Sequence, residues 1–176
     1  MLEMTYEERI RSAGRIHERA RYLRGSFLNS VAVGEREIAH ILTDYFCTSS
    51  DQAKKTFCYE NLVTVLSLQR KKNLLIKILK KDYPRYWERN AEIMTELDKV
   101  QEFRNKLAHS VVDVSDEALA RPIEQGIGFV DWDDGAPITE RAFQDWEVKV
   151  NMVNTCLVEI KRLLPWIEKP RSPEKP

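Results

Sequence analysis

Helix-breaking residues are scarce over most of this 176-residue chain, which contains six glycines and seven prolines. Three of the prolines, Pro170, Pro173 and Pro176, lie within the last seven residues. Because glycine and proline are the residues that most often interrupt helices, their scarcity elsewhere favours long helices. The sequence therefore predicts an all-α protein in which residues 1–168 form a single helical domain and residues 169–176 form a disordered, proline-rich tail.

Apolar residues recur every three or four positions along most of the chain, a pattern typical of helices that bury one face. The predicted helices cover residues 5–24, 26–46, 52–66, 67–81, 87–111 and a final stretch that begins after the capping residue Thr139. Gly25 and Ser26 indicate the boundary between the first two helices, with a kinked continuation as the alternative. We expect four to five main helices packed as a bundle.

Residues 112–138 contain five of the ten glycines and prolines outside the tail and predict a small β-hairpin inserted before the last helix. Residues 127–132 have the composition of a strand, and Asp133, Asp134 and Gly135 form a turn signal. Residues 136–138 are expected to return as the second strand. Since a two-stranded hairpin is barely stable alone, it should pack on the helices.

Basic and acidic side chains are equal in number, 28 of each, but they are segregated along the chain. The zero balance removes overall basicity as an argument for nucleic-acid binding. Residues 69–89 nevertheless contain eight basic and two acidic side chains, and residues 113–147 contain ten acidic side chains and two arginines. The basic stretch is a candidate phosphate-binding surface, with Arg70, Lys71, Lys72 and Lys77 as its candidate contacts. The alternative is a solvated face that meets the acidic insert across a dimer.

Neither a membrane span nor a metal site is indicated by the sequence. The chain has no run of about 18 apolar residues, and its acidic beginning does not resemble a secretory signal. Cys47, Cys58 and Cys156 are odd in number and form no Cys-x-x-Cys pair, which argues against a disulfide framework or a zinc site. We therefore expect a cytoplasmic protein that carries no metal and no cofactor.

The segment 102–110, Glu-Phe-Arg-Asn-Lys-Leu-Ala-His-Ser, is the most informative part of the sequence. Asn105 and His109 are four residues apart and therefore share one face of the helix. Arg104 and His109 diverge by about 140° around the axis and by about 7.5 Å along it, so only a long arginine side chain could bring both to one site. Arg104 also continues the apolar steps of Leu97 and Val100, and a cation there must be paired or must face a cleft.

These residue types suit the cleavage of an RNA phosphodiester bond without a metal. Histidine shuttles protons near neutral pH, arginine neutralises charge on a phosphate, and asparagine can orient either group. Glu37 on the second predicted helix is a further candidate, because it could hold Arg104 or His109. The alternative is structural: Arg104 pairs with a core carboxylate, and His109 caps the end of its helix.

The motif Arg-Asn-Lys-Leu-Ala-His at positions 104–109 resembles the Arg-Asn-x-x-x-His signature of the HEPN superfamily. That resemblance implies a helical bundle, commonly dimeric, and a metal-independent ribonuclease of the toxin–antitoxin or phage-defence type. It also implies a composite site in which two such helices face each other across a homodimer, with Arg104, Asn105 and His109 as the catalytic residues. RNA and an antitoxin are the partners that follow from it.

Three segments of the chain also occur in an order that is similar to the order in the mannitol-operon repressor (MltR-like) family. These segments are Ser26-Phe27-Leu28, residues 66–71 and residues 104–109, and the similarity spans roughly residues 26–160. This second resemblance implies a HEPN-type fold in a non-catalytic transcriptional regulator or protein-interaction module that acts through a protein partner. The sequence thus leaves two functional classes open, an RNA-cleaving or RNA-binding protein and a regulatory module.

Overall fold

The computed structural model describes residues 4–47, 51–130 and 137–163, and these residues form six α-helices and two short strands. The helices are α1 (Tyr6–Phe46), α2 (Gln52–Cys58), α3 (Leu68–Asp82), α4 (Pro84–His109), α5 (Asp116–Ala120) and α6 (Glu140–Leu163). A π-helical turn, Tyr59–Val63, continues α2. The strands are β1 (Val111–Val112) and β2 (Phe129–Val130). The predicted all-α fold with a small β element before the last helix is confirmed.

Gly25 and Ser26 lie inside α1, so the predicted boundary between two helices is wrong and the chain continues as one helix of 41 residues. The Ser26 hydroxyl does not cap a new helix but donates to the Glu147 carboxylate at 2.8 Å. Leu23 and Phe27 are both buried on either side of Gly25, so the apolar stripe passes through the glycine uninterrupted. Burial of that stripe outweighs the cost of about 1 kcal/mol that a glycine imposes on a helix.

The other helix boundaries follow from their capping residues. Ser67 accepts the N–H of Arg70 at 3.4 Å at the start of α3, and Thr139 accepts the N–H of Ala142 at 3.2 Å at the start of α6. Helix α4 begins at Pro84, three residues before the predicted start. Proline suits a first helical position because its missing N–H would have no partner there.

The β element differs from the predicted hairpin in its principal pairing. Strand β2 pairs antiparallel with β1, with Val111 opposite Val130 and Val112 opposite Phe129. The predicted return strand contributes only an isolated bridge between Ile127 and Ile138. The helix predicted over residues 87–111 ends at His109, because Val111 is already in β1. The predicted turn at residues 133–135 and the tail 169–176 lie outside the described residues.

The described residues divide into two compact units. The first comprises residues 4–31, 98–130 and 137–150, and the second comprises residues 32–47, 51–97 and 151–163. Helices α1, α4 and α6 contribute segments to both units. The single domain predicted for residues 1–168 stays a prediction.

Aromatic side chains form the centre of the first unit. The ring of Phe103 meets the ring of Phe27 edge-on at 4.9 Å and stacks on Trp146 at 4.3 Å. Phe143 completes the group, with its ring 6.1 Å from that of Phe103. Phe129 of β2 belongs to the same buried cluster. The β element therefore forms part of this core, as expected for a short pair of strands that needs helices to stabilise it.

The second unit has a separate aliphatic core. Its fully buried side chains include Ile41, Leu75 and Leu157, one from each of α1, α3 and α6. The Tyr45 hydroxyl donates to the Asp82 carboxylate, which raises the pKa of Tyr45 to about 12. The raised pKa reflects the stabilisation of the protonated phenol, which donates this bond between α1 and the end of α3.

Replacing Gly25 by alanine tests the continuity of α1. We expect Gly25→Ala to raise the free energy of unfolding by about 1 kcal/mol, because a Cβ there meets no atom within 4 Å and alanine is the better helix former. Chemical denaturation monitored by circular dichroism measures the change. If a helix ended at Gly25, the substitution would instead destabilise the protein.

Gly126 provides the contrasting variant in the same unit. Its φ of +109° is a conformation that residues with a side chain rarely adopt. A Cβ added to this glycine would also lie only 2.7 Å from the Ile138 carbonyl oxygen. We expect Gly126→Ala to lower the free energy of unfolding by about 1 kcal/mol or more.

Candidate functional site

The rotation of α4 about its axis presents the motif residues to solvent. Val100, Phe103 and Leu107 are buried in the core of the first unit. Arg104 and His109 are exposed, as is Asn105 between them. At 100° per residue, Arg104 lies about 70° from the middle of the buried stripe. It is therefore at the edge of the apolar face, where a long side chain can reach water.

Arg104 is held by its neighbour in sequence. Its Nη1 donates to the Asn105 Oδ1 at 3.0 Å. The predicted structural alternative required a core carboxylate as the partner, and no carboxylate described in the first unit pairs with this guanidinium. The described residues of the first unit thus leave most of the five N–H donors of Arg104 available to a ligand.

His109 is the last residue of α4 and shares the exposed helix face with Asn105, as their spacing predicted. Its position allows a protonated imidazole to interact favourably with the helix dipole. Ser110 follows it, and Arg24 of α1 donates from Nη2 to the Ser110 carbonyl oxygen at 2.9 Å. This bond fixes the backbone next to His109 to α1.

Two exposed valines follow the motif. Val111 of β1 and Val130 of β2 lie opposite each other in the antiparallel pair, and their exposed fractions are 62% and 47%. The neighbouring pair, Val112 and Phe129, faces the core, since alternate strand residues point to opposite faces. This pair is therefore exposed to solvent, and its member Val111 lies two residues after His109.

Glu37 is engaged elsewhere. Its carboxylate accepts a hydrogen bond from the Lys161 ammonium at 2.9 Å, and both residues belong to the second unit. Arg104, Asn105 and His109 all belong to the first unit. The three motif residues are therefore exposed on one helix, and Glu37 pairs with a different residue.

The four basic candidates on α3 divide into two pairs. Arg70 and Lys77 are exposed, but Lys71 and Lys72 are each only 4% exposed. The Lys71 ammonium donates to the Glu35 carboxylate at 2.9 Å. A cation buried in this way is not in a position to meet a phosphate, so Arg70 and Lys77 remain as the candidates that a ligand could reach.

Arg24 is a candidate residue that sequence reasoning missed. Its guanidinium bonds the backbone beside His109 and lies over the Phe129 ring at 5.4 Å. Arg21, three residues earlier, lies near the same face of the helix. That spacing was visible in the sequence, but the approach of α1 to the end of α4 was not.

Among the described residues, no group of three or more His, Cys, Asp or Glu side chains is placed to hold a metal ion. None of the helices within residues 4–47, 51–130 and 137–163 is both long and apolar enough to span a bilayer.

No family model, curated protein or solved structure matches this chain. The HEPN and MltR-like resemblances therefore depend on the residues that suggested them and on the placement of those residues.

The two residues of the Lys71–Glu35 ion pair should differ in how much stability is lost when each is replaced. The Lys71 side chain is 5% exposed and that of Glu35 is 36% exposed. Glu35→Ala leaves a buried ammonium without its partner, and we expect it to lower the free energy of unfolding by about 2–3 kcal/mol. Lys71→Met leaves a carboxylate that water can reach, and we expect a loss of about 1 kcal/mol or less. Urea denaturation of both variants measures the difference, and equal losses would contradict this account of the pair.

Proposed function

We propose that this chain is a metal-independent endoribonuclease of the HEPN type, with Arg104, Asn105 and His109 as its catalytic residues. The observation that carries the proposal is the exposure of all three side chains at the end of α4, beside a tightly packed core. If these residues served stability, burial or internal pairing would be expected of the arginine and the histidine. Among the described residues of the first unit, Arg104 instead bonds only the neighbouring motif residue Asn105.

The reaction requires only groups that this chain supplies. The ribose 2′-oxygen attacks the adjacent phosphorus, the bond from phosphorus to the 5′-oxygen breaks, and the products are a 2′,3′-cyclic phosphate and a 5′-hydroxyl. One proton leaves the 2′-oxygen and one is delivered to the departing 5′-oxygen, and His109 is suited to either transfer. Arg104 would stabilise the charge that develops on the phosphate oxygens. The Asn105 amide oxygen already holds Arg104 and so orients it.

A homodimer would supply the second proton carrier. One His109 cannot act on both sides of the phosphorus at once, but two facing copies of α4 would provide one histidine for each transfer. Val111 and Val130 are compatible with such an arrangement, because a second copy of the chain could cover this exposed apolar pair. We infer that they lie at the centre of the contact between the two copies.

The proposed setting is a cytoplasmic toxin or phage-defence protein that an antitoxin or another regulatory protein holds in check. The second candidate is a non-catalytic regulator of the MltR-like type. The exposed valines also support this candidate, since a protein partner could cover them as readily as a second copy of the chain. The two candidates differ in whether the chain breaks RNA.

Incubation of purified protein with single-stranded RNA in EDTA distinguishes the two candidates. We expect cleavage that leaves 2′,3′-cyclic phosphate and 5′-hydroxyl ends, and no cleavage of a DNA strand of the same sequence. His109→Ala should lower the rate by about 10²–10⁴-fold, the usual contribution of a general acid or base. Arg104→Lys should also lower it substantially, because an ammonium cannot form the bidentate contact.

His40→Ala is the matched control, since His40 belongs to the second unit and stacks on Tyr59 at 4.8 Å. This variant should cleave at the wild-type rate. Cleavage that survives His109→Ala would overturn the catalytic assignment. A stable dimer with no cleavage under any condition would favour the regulatory module.

Replacing one of the two exposed valines by a charged residue tests the dimer contact. We expect Val130→Glu to shift the protein from dimer to monomer and to lower RNA cleavage in parallel, because a buried unpaired carboxylate opposes association. Analytical ultracentrifugation measures the mass. Val65→Glu is the control, since Val65 is 71% exposed in the second unit and should leave the dimer intact. A Val130→Glu variant that stays dimeric would refute this interface.

A further inference from the structure

A cavity of about 340 Å³ lies in the first unit between α1 and β1. Three cationic or polar side chains of α1 line it, His17, Arg21 and Arg24, at positions that share one helix face. Leu28 and Val112 provide apolar wall on the same cavity. A volume of this size falls within the usual range of small-ligand sites.

No carboxylate is among the described residues that line the cavity, and the charged side chains among them, Arg21 and Arg24, are basic. Two other arginines of α1 are neutralised in this unit: Arg9 pairs with Asp116 at 2.8 Å, and Arg19 pairs with Glu140. Arg21 has no carboxylate partner among the residues described in the first unit. Two guanidinium groups with an imidazole beside them select an anion, and a phosphate fits their donor geometry.

Arg24 is already fixed in place at the inner side of this cavity. Its Nη2 bonds the Ser110 carbonyl oxygen, and its guanidinium lies over the Phe129 ring. An anion in the cavity could meet the Nη donors of Arg24 that remain, at little cost in side-chain entropy because the arginine is already held.

The cavity is adjacent to the motif along the backbone. Arg24 bonds the residue that follows His109, and Val112, three residues after His109, lines the cavity wall. Consecutive Cα atoms are about 3.8 Å apart, so the cavity and His109 are within the span of a few nucleotides. A strand that places one phosphate at the motif could therefore place a neighbouring nucleotide in the cavity.

We infer that this cavity binds one nucleotide of the RNA strand next to the bond that the motif cleaves. The phosphate would meet Arg21 and Arg24, and the ribose or base would pack on Leu28 and Val112. This inference rests on the proposed ribonuclease function and adds a binding subsite to it. The subsite contributes affinity for the strand and leaves the chemical step to Arg104, Asn105 and His109.

A labelled single-stranded RNA with 2′-O-methyl riboses separates binding from cleavage, because it lacks the attacking hydroxyl. Fluorescence anisotropy with the full chain measures its dissociation constant. Arg21→Gln removes one phosphate contact, and we expect it to raise that constant by about tenfold, as for loss of a hydrogen bond to a charged group. The dependence of the constant on salt should become shallower, since one fewer counterion is released.

Gly25→Phe fills the cavity without touching a charge. Gly25 lines the cavity, and a Cβ added to it meets nothing within 4 Å, so a side chain can begin there without displacing the backbone. We expect weaker binding, by about tenfold or more, when the ring excludes the nucleotide. Gly14→Phe is the matched control, because Gly14 is an equally open glycine of α1 that does not line the cavity. It should bind as the wild type does, and circular dichroism should show that all three variants are folded.

The outcomes separate this inference from the proposed function. If unmodified RNA is cleaved by the wild type while Arg21→Gln and Gly25→Phe bind the probe normally, the cavity inference is overturned and the ribonuclease proposal stands. If both variants weaken binding while the wild type cleaves nothing, the subsite stands and the catalytic proposal is overturned. A wild-type protein that neither binds nor cleaves RNA would overturn both.

Discussion

The packing of Phe103 is the contact on which the candidate site depends. Its ring is enclosed by Phe27, Phe143 and Trp146, which come from α1 and α6. Such an aromatic group tolerates little rotation, because each ring must keep its edge or face against the next. Since Arg104 is the next residue along α4, the rotation that buries Phe103 also fixes the direction in which the motif faces. The core and the site are thus two consequences of one helix orientation.

Periodicity and capping residues were sufficient to predict the fold class. Helix α3 covers Leu68–Asp82, one residue later at each end than the predicted 67–81, and Ser67 is its N-cap. Helix α6 begins after Thr139, as the sequence predicted, because an N-cap acts within four residues of itself. The shared face of Asn105 and His109 was predictable for the same reason, since a four-residue step on a helix needs no knowledge of the rest of the chain. Local geometry therefore accounts for most of what the sequence predicted about the motif.

The errors concern residues whose role depends on a distant partner. Gly25 ends a helix in many sequences, but burial of the stripe around it keeps α1 continuous. Val111 was predicted as helical, and it is a strand residue because Val130, 19 positions later, pairs with it. Lys71 was one of four candidate phosphate contacts, and it is buried against Glu35 of another helix. None of these partners can be found from spacing alone, since spacing does not determine which elements meet.

The zero net charge has a different meaning once the ion pairs are known. The acidic residues after α4 do not simply oppose the basic stretch of α3: Asp116 and Glu140 neutralise arginines of α1 within the first unit. Arg21 and Arg24, next to the end of α4, have no carboxylate partner among the described residues of the first unit. A few such guanidinium groups beside a histidine would attract phosphate more selectively than a uniformly basic surface, because nearby carboxylates repel a nucleic-acid strand elsewhere. Under the proposed function, the even balance of charges is therefore compatible with a phosphate site close to His109.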